Sequence, residues 1–562
     1  ENLQYQEVNP NKGYLSCVST TLNFGLGDNK MVDSVRIIWP DQTTQSITSV
    51  KADQLLTISY QSSLKPYIPA VAVKKTVFTR AKPIIDFKPE EITINDFKRQ
   101  LLMLFMYSKT APVIAKADVN HDGLEDIFVS GEKDSPGKIY LQQPGGKYRE
   151  VNLARGSTEN IGTTSAAVFF DANGDGYPDL YIAKGGYSLY EPNTPDLQDE
   201  LYLNDGKGNF ALSAGALPVL NGSSKSCVRP CDFDGDGDID LFVGGRVIPG
   251  RYPLAPESYL LINDGKGKFT AASIPFNKIG MVTDAQWIDL NNDGRKDLVL
   301  CGEFMPITVL INTPDGFKDK TSDYFDSPQK GFWFQIAFAD VNGDGKPDLI
   351  AGNLGLNTQI HASEKEPAEL YYADFDNNGS IDPFFNFYIQ GKSYPFVSRD
   401  ELNEQIYPMR RKFSSYKAYA DATINDIFSA EDLAKAGKLS VNELKTTLFI
   451  NHNGKFKAAD LPVEAQFSAV NQILTGDFDH DGLTDILLLG NHSDNRLKLS
   501  SFDANYGCLL KGDGKGGFKY INQPLSGLSV IGDVKSAVEI KINNTNYLLI
   551  GLSDGPLQFY KE

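Results

Sequence analysis

Short, mainly apolar runs of β-type, each ended by a turn signal, recur along most of this chain. AAVFFD (166–171) and LYIAKGG (180–186) flank one such turn, and IAFAD (336–340) and LIAGNLG (349–355) flank another. Apolar runs of that length bounded by turn signals predict β-strands. A second unit reads as strand, glycine-rich turn and strand. It occurs as ELYLNDGKGNFAL (200–212), YLLINDGKGKFTA (259–271), LFINHNGKFKAA (448–459) and CLLKGDGKGGFKYI (508–521), with a looser version in KIYLQQPGGKYREV (138–151). Each repeat thus offers two hairpins, or four strands, at a spacing of roughly 50–60 residues, which suits propeller blades with decorated connections.

The turn inside the first hairpin carries a motif of its own. DVNHDGLED (118–126), DANGDGYPD (171–179), DFDGDGDID (232–240), DLNNDGRKD (289–297), DVNGDGKPD (340–348), DFDNNGSID (374–382) and DFDHDGLTD (477–485) are seven copies of D-x-[DN]-x-[DN]-G-x-x-D. The third copy places five aspartates on alternate positions, which is unfavourable unless something neutralises them. Side-chain oxygens at positions 1, 3 and 5, the carbonyl at 7 and the carboxylate at 9 can wrap one hard cation, and glycine at 6 permits the sharp turn. The ligand sets are then Asp118, Asn120, Asp122, Leu124 and Asp126, followed by Asp171, Asn173, Asp175, Tyr177 and Asp179. The third and fourth are Asp232, Asp234, Asp236, Asp238 and Asp240, and Asp289, Asn291, Asp293, Arg295 and Asp297. The fifth is Asp340, Asn342, Asp344, Lys346 and Asp348; the sixth is Asp374, Asp376, Asn378, Ser380 and Asp382. The last is Asp477, Asp479, Asp481, Leu483 and Asp485. Calcium suits all-oxygen loop ligands better than magnesium, with its stricter octahedron, and a transition metal would want the His or Cys that only position 4 supplies (His121, His480). An EF-hand is excluded, because position 12 is Val129, Ile182, Val243, Leu300, Ala351, Phe385 or Leu488, never the bidentate Glu.

These loops, with the following apolar strand and NDGKGNF hairpin, resemble the FG-GAP/VCBS repeat of integrin-α-type β-propellers over about residues 110–562. The resemblance implies an all-β fold: a calcium-stapled propeller of seven or eight blades, with up to seven structural Ca2+ ions. The count stays open because the loops at 340 and 374 are close enough to share a blade, and the tail 532–561 reads as strands without a loop. Residues 13–60 alternate as a small β-domain. Gly13-Tyr14-Leu15-Ser16, Phe24-Gly25-Leu26-Gly27 and Val35-Arg36-Ile37-Ile38-Trp39-Pro40 resemble the ASPIC/UnbV domain, entered partway. Proteins of this kind, including the cartilage acidic protein group and exported bacterial VCBS-repeat proteins, carry the two elements together. The expected organisation is an ASPIC/UnbV-like unit at 1–65, a linker at 66–110 that turns helical through NDFKRQLLMLFMYSK, and the propeller at 111–562. A helical insertion is expected at about 400–446, from the composition of 415–446.

Charge and composition narrow the function. A formal net charge of -18 excludes a general nucleic-acid role, and seven divalent ions would bring it to about -4. The five cysteines are sparse and odd in number; Cys227 and Cys231 stand too far apart on one strand to bridge and read as free thiols. The longest apolar run of the N-terminal third, LLMLFMY (101–107), cannot span a bilayer, and the chain opens at Glu1 with a leader expected to be absent or already removed. No P-loop, dinucleotide fingerprint, G-x-S-x-G elbow or HExxH pairing occurs. As seven equivalent active sites would be strange, the aspartates read as ion ligands and not as an acid/base pair. Arg399, Arg410 and Arg411 in SRDELNEQIYPMRRKF (398–413) are candidates for binding an acidic sugar or a peptide, against the blander reading of a solvated face.

Two functions follow. The first is a non-enzymatic cell-surface or secreted binding scaffold with a protein partner and a glycan or peptide ligand. For this class the resemblance implies export as an outer-membrane lipoprotein accessory to a SusCD-type, TonB-dependent importer. The alternative is a calcium-dependent carbohydrate-active enzyme of polysaccharide-lyase type. Loops of this ligand class fill best where calcium is millimolar, which points outside the cytosol.

Overall fold

The chain divides into two compact units, residues 1–74 and 75–562. The computed structural model describes residues 3–61, 64–67, 75–90, 93–131, 137–154 and 162–562. In the first unit Met31–Ile38 pairs antiparallel with Thr43–Lys51, which pairs in turn with Lys65–Pro66. Asp41 fixes the turn by accepting from the Thr43 N–H and hydroxyl and from the Tyr60 hydroxyl. This is the small β-unit that the alternation predicts, and its described residues are all exposed or half-exposed.

In the second unit the second strand of each sheet is a continuous apolar run because both its faces are covered. Asp179–Gly185 is buried along its whole length, and Asp297–Pro306 nearly so. Among the described residues such strands organise seven antiparallel sheets, beginning at Ile114–Ala117, Thr163–Phe170, Ser224–Cys231, Met281–Ile288, Gln335–Ala339, Val470–Gly476 and Val534–Ile542; each has four strands except the fourth, to which Lys330–Phe332 adds a fifth. Each of these first strands packs on the next, and the last packs on the first, so the sheets close into a ring. Slips in strand register help to join neighbours. Ser226, Thr283 and Asn471 sit at such irregularities and donate to the carbonyls of Val282 (2.7 Å), Trp333 (2.8 Å) and Val534 (3.2 Å) in the following sheet or the segment leading into it.

The tail at 532–561 is the seventh sheet, and its fourth strand comes from the other end of the unit: Thr79–Arg80 pairs with Gln558–Lys561. Residues 66–110 are therefore not a plain linker, although 68–74 and 91–92 lie outside the described residues. Nor is NDFKRQLLMLFMYSK a helix beyond the single 3-10 turn Asp96–Lys98. Met103, Leu104, Phe105 and Tyr107 are buried among Tyr187, Val247, Phe304, Phe385 and Phe502. Apolar contact on several sides of this segment is incompatible with the one-stripe burial of a surface helix.

The insertion also differs from the expected helical block. It leaves the ring after Asp348–Gly352 and returns at Thr447–His452, which pair with each other in the fifth sheet. Between them lies a separate four-stranded sheet, ordered Lys392–Pro395, Asp382–Ile389, Ala368–Ala373 and Gly437–Val441. Five short helices at Arg399–Gln405, Met409–Lys412, Tyr416–Tyr419, Ile424–Ile427 and Ala430–Lys435 accompany it. Leu402, Ile406, Phe413 and Phe428 from this helical stretch pack with Phe384 of the sheet and with Leu102. The loops at 340–348 and 374–382 thus belong to different sheets, and the sixth copy lies in the insertion, not in the ring.

Candidate metal centres

Each loop is held by the same hydrogen bonds, all set within nine residues. The position 1 carboxylate accepts from the position 6 glycine N–H: Gly123 to Asp118, Gly176 to Asp171, Gly237 to Asp232 and Gly294 to Asp289. Gly345, Gly379 and Gly482 do the same to Asp340, Asp374 and Asp477. The position 5 side chain accepts from the position 7 N–H at 2.7–2.9 Å in all seven copies. The carboxylates that converge are those of positions 1, 3 and 9; the position 5 carboxylates Asp236 and Asp481, expected as ligands, are not among them. In the third, sixth and seventh copies the triads Asp232/Asp234/Asp240, Asp374/Asp376/Asp382 and Asp477/Asp479/Asp485 bring carboxylate oxygens within 4.8 Å of one another.

The position 9 aspartate opens the second strand and is buried in every copy. Burial, reinforced by the neighbouring carboxylates, raises Asp126 and Asp240 to about 7 and Asp179 and Asp382 to about 6. Asp297, Asp348 and Asp485 move in the same direction for the same reasons. A divalent cation beside such a group restores its charged form. In six copies Oδ2 of this residue accepts from the position 2 N–H. Asp240 Oδ2 does not, and is a buried oxygen with no hydrogen-bond partner beside Asp232 and Asp234. An orphaned buried carboxylate oxygen within an all-oxygen donor set fits a hard cation such as calcium.

Sequence reasoning missed a recurring asparagine at the end of the third strand. Its N–H donates to the position 9 carboxylate of its own sheet: Asn204 to Asp179, Asn263 to Asp240, Asn312 to Asp297 and Asn451 to Asp348. In three sheets its Nδ2 also donates to the position 2 carbonyl of the preceding loop, from Asn204 to Val119 (2.6 Å), Asn263 to Ala172 (2.9 Å) and Asn312 to Phe233 (2.8 Å). The signal was present in LND, IND, INT and INH. In the insertion a side chain replaces the strand donor, and Gln405 Nε2 reaches Asp382 Oδ1 at 2.6 Å.

The remaining candidates are scattered. The Arg295 guanidinium folds back on Asp293 and donates to the Asn312 carbonyl, and Lys346 Nζ donates to Asn453. A cleft of about 590 Å³ lies between the fourth and fifth sheets, lined by Asp289, Asn291, Lys320, Tyr324, Lys346 and Asn453. Arg399 braces the insertion, donating to the Phe413 carbonyl and pairing with Asp400. Arg410 lies over the Tyr407 ring at 4.7 Å and, like Arg411, is exposed. Cys227 and Cys231 are free, one buried and one half-buried.

Family models match two parts of the chain: ASPIC and UnbV over residues 1–65, and FG-GAP-like repeat over 118–182 and 289–351. The chain therefore carries FG-GAP-like repeats beside an ASPIC and UnbV segment. It is 24% identical to mouse (Mus musculus) integrin alpha-IIb over 313 residues, covering 44% of this chain and 28% of the integrin. It is 24% identical to human cartilage acidic protein 1 over 316 residues, covering 49% of this chain and 46% of that protein. Thus the chain spans less than half the length of either relative. Among solved structures, the Dos1 propeller aligns over 82% of this chain and 95% of its own, at 10% identity and a TM-score of 0.36.

Proposed function

We propose that this protein is a non-enzymatic binding scaffold that works outside the cytosol, its ring held by calcium in the aspartate loops and its recognition surface carried by the insertion. The observation that carries this reading is the Asp232/Asp234/Asp240 site, where a buried carboxylate oxygen without a partner faces two further carboxylates. Asp118, Asn120, Asp122, the Leu124 carbonyl and Asp126 would hold the ion of the first loop, with the equivalent sets in the others. The bound ion supplies only charge compensation between the two strands that each loop joins. The similarity to an integrin and to cartilage acidic protein 1 supports a binding role in place of turnover. In the insertion, Tyr407 and Tyr416 stay 70% and 68% exposed, with Arg410 over the first ring at 4.7 Å and Arg399 over the second at 4.9 Å, and exposed aromatic and arginine side chains are the usual anchors of protein recognition.

Thermal melts in EDTA and in millimolar calcium test the ion. Each loop filled at about a hundred times its Kd contributes about 2.7 kcal/mol, so chelation should lower Tm by many degrees. An unchanged melt in EDTA sinks the calcium reading. Capture from the native envelope with the Tyr407→Ala/Tyr416→Ala variant beside the parent chain tests the surface, and equal recovery of every partner would remove the insertion from the proposal.

A further inference from the structure

The loop at 477–485, in the sixth sheet, differs from its siblings in taking a cation from the third strand onto positions 3 and 5; in the fourth copy Arg295, inside the loop, reaches Asp293 at position 5 alone. On each third strand, the residue before the one bonded to position 9 is Leu141, Leu203, Ile262, Ile311 or Ile450 in the first five sheets, and Lys511 in the sixth. Where the aliphatic residue can be followed, it lies against the glycine hairpin of the next sheet. A Cβ added at Gly208 would meet Leu141 at 2.7 Å, one at Gly267 would meet Leu203 at 3.5 Å, and one at Gly516 would meet Ile450 at 3.2 Å. The last two hairpins also lie over position 3 of the preceding loop, with Asn173 at 3.6 Å and Asn342 at 3.9 Å. The seventh sheet has no such hairpin, because its third and fourth strands come from opposite ends of the unit. Beside the sixth sheet's loop, that flank is left to a side chain of the sheet itself.

Lys511 takes it. Its ammonium rests on the Asp479 carboxylate at position 3 and lies 2.6 Å from Asp481 Oδ2 at position 5. We infer that Lys511 is the resident cation of the 477–485 loop, so that this copy keeps its conformation without a divalent ion and takes calcium more weakly than its siblings. The first half stands on the Lys511 contacts alone; the second rests on the calcium reading of the other loops. Calcium entering here must displace a tethered ammonium from two of its own ligands, a competition that an aliphatic side chain does not offer. As the seventh sheet has no aspartate loop, the two sheets that close the ring would then need no ion.

The test compares the full chain with its Lys511→Met variant. Calcium per chain and its affinity are measured by titration calorimetry and elemental analysis, and melting temperature is measured in EDTA. The variant is expected to hold one more calcium, or to bind at its weakest site about tenfold more tightly. Equal stoichiometry and equal affinities overturn the competition. In EDTA the variant should melt lower than the parent, since Asp479 and Asp481 lose their counter-charge, and adding Asp479→Asn should recover part of the loss. Equal melts of parent and variant in EDTA overturn the resident cation. A parent chain that binds no calcium would defeat the reading of the other loops and the competition with it, while the EDTA melts still decide whether Lys511 neutralises this one.

Discussion

His121 and His480 stand where the backbone, not an ion, asks for them. Position 4 is left-handed in all seven copies, at φ 57° for His121, 58° for Asn292 and Asn377, 62° for His480 and 74–79° for Gly174, Gly235 and Gly343. Gly, Asn and His are residues that occupy this region more readily than most. Replacing exposed His480 with glycine should therefore stabilise the ion-free chain by about 1 kcal/mol in a urea titration, with no change in the calcium titration. Loss of calcium affinity would make His480 a ligand. The loops were legible in the sequence because every determinant of their shape, from the position 1 carboxylate to the position 6 glycine, falls inside nine residues. Lys511 was not legible as part of one, because it reaches the loop from another strand 32 residues beyond Asp479.

At the scale of the element, what joins a loop to the next sheet is the third-strand asparagine. Asn263 Nδ2 donates to both the Ala172 and the Ile239 carbonyls, at 2.9 and 3.1 Å, from a buried position. In Asn263→Ala both acceptors lose that donor inside the structure, at a cost of about 1–3 kcal/mol. Urea unfolding of the calcium-loaded chain measures it, and a midpoint equal to the parent's would mean that the loops do not depend on this clamp. The insertion shows why elements of this kind were harder to read. Capping boxes at Ser398, Thr423 and Ser429 begin separate short helices, so a stretch with helical composition folds as several pieces of one or two turns. Its sheet escaped notice because Ala368–Ala373 finds one partner, Gly437–Val441, only beyond all of those helices. Composition reports local preference, and a pairing across more than sixty residues is decided by burial instead.

The second unit closes through a contact between chain segments some 480 residues apart, which no local pattern announces. The arm before the first sheet is stitched along its length: the Val77, Phe78 and Ala81 N–H groups donate to the Leu525, Ser526 and Phe559 carbonyls at 3.1, 2.7 and 2.8 Å. Phe78 is fully buried against Phe478, Leu528 and Tyr560. Each sheet of the ring ends on an outer strand; here it is the two-residue Thr79–Arg80, and removing it exposes Gln558–Lys561 of the seventh sheet to pairing by any other chain. Two truncations separate the parts. A chain of residues 75–562 keeps the arm and should melt with the full chain's second unit. A chain of residues 82–562 loses the fourth strand and the Phe78 anchor, whose removal alone costs about 3–5 kcal/mol, and should melt far lower and associate through the open edge. Calcium should leave this difference between the two truncations unchanged, because no aspartate loop lies in the seventh sheet that the arm completes. If both truncations melted together, closure would belong to the contacts between neighbouring first strands and the arm would be dispensable.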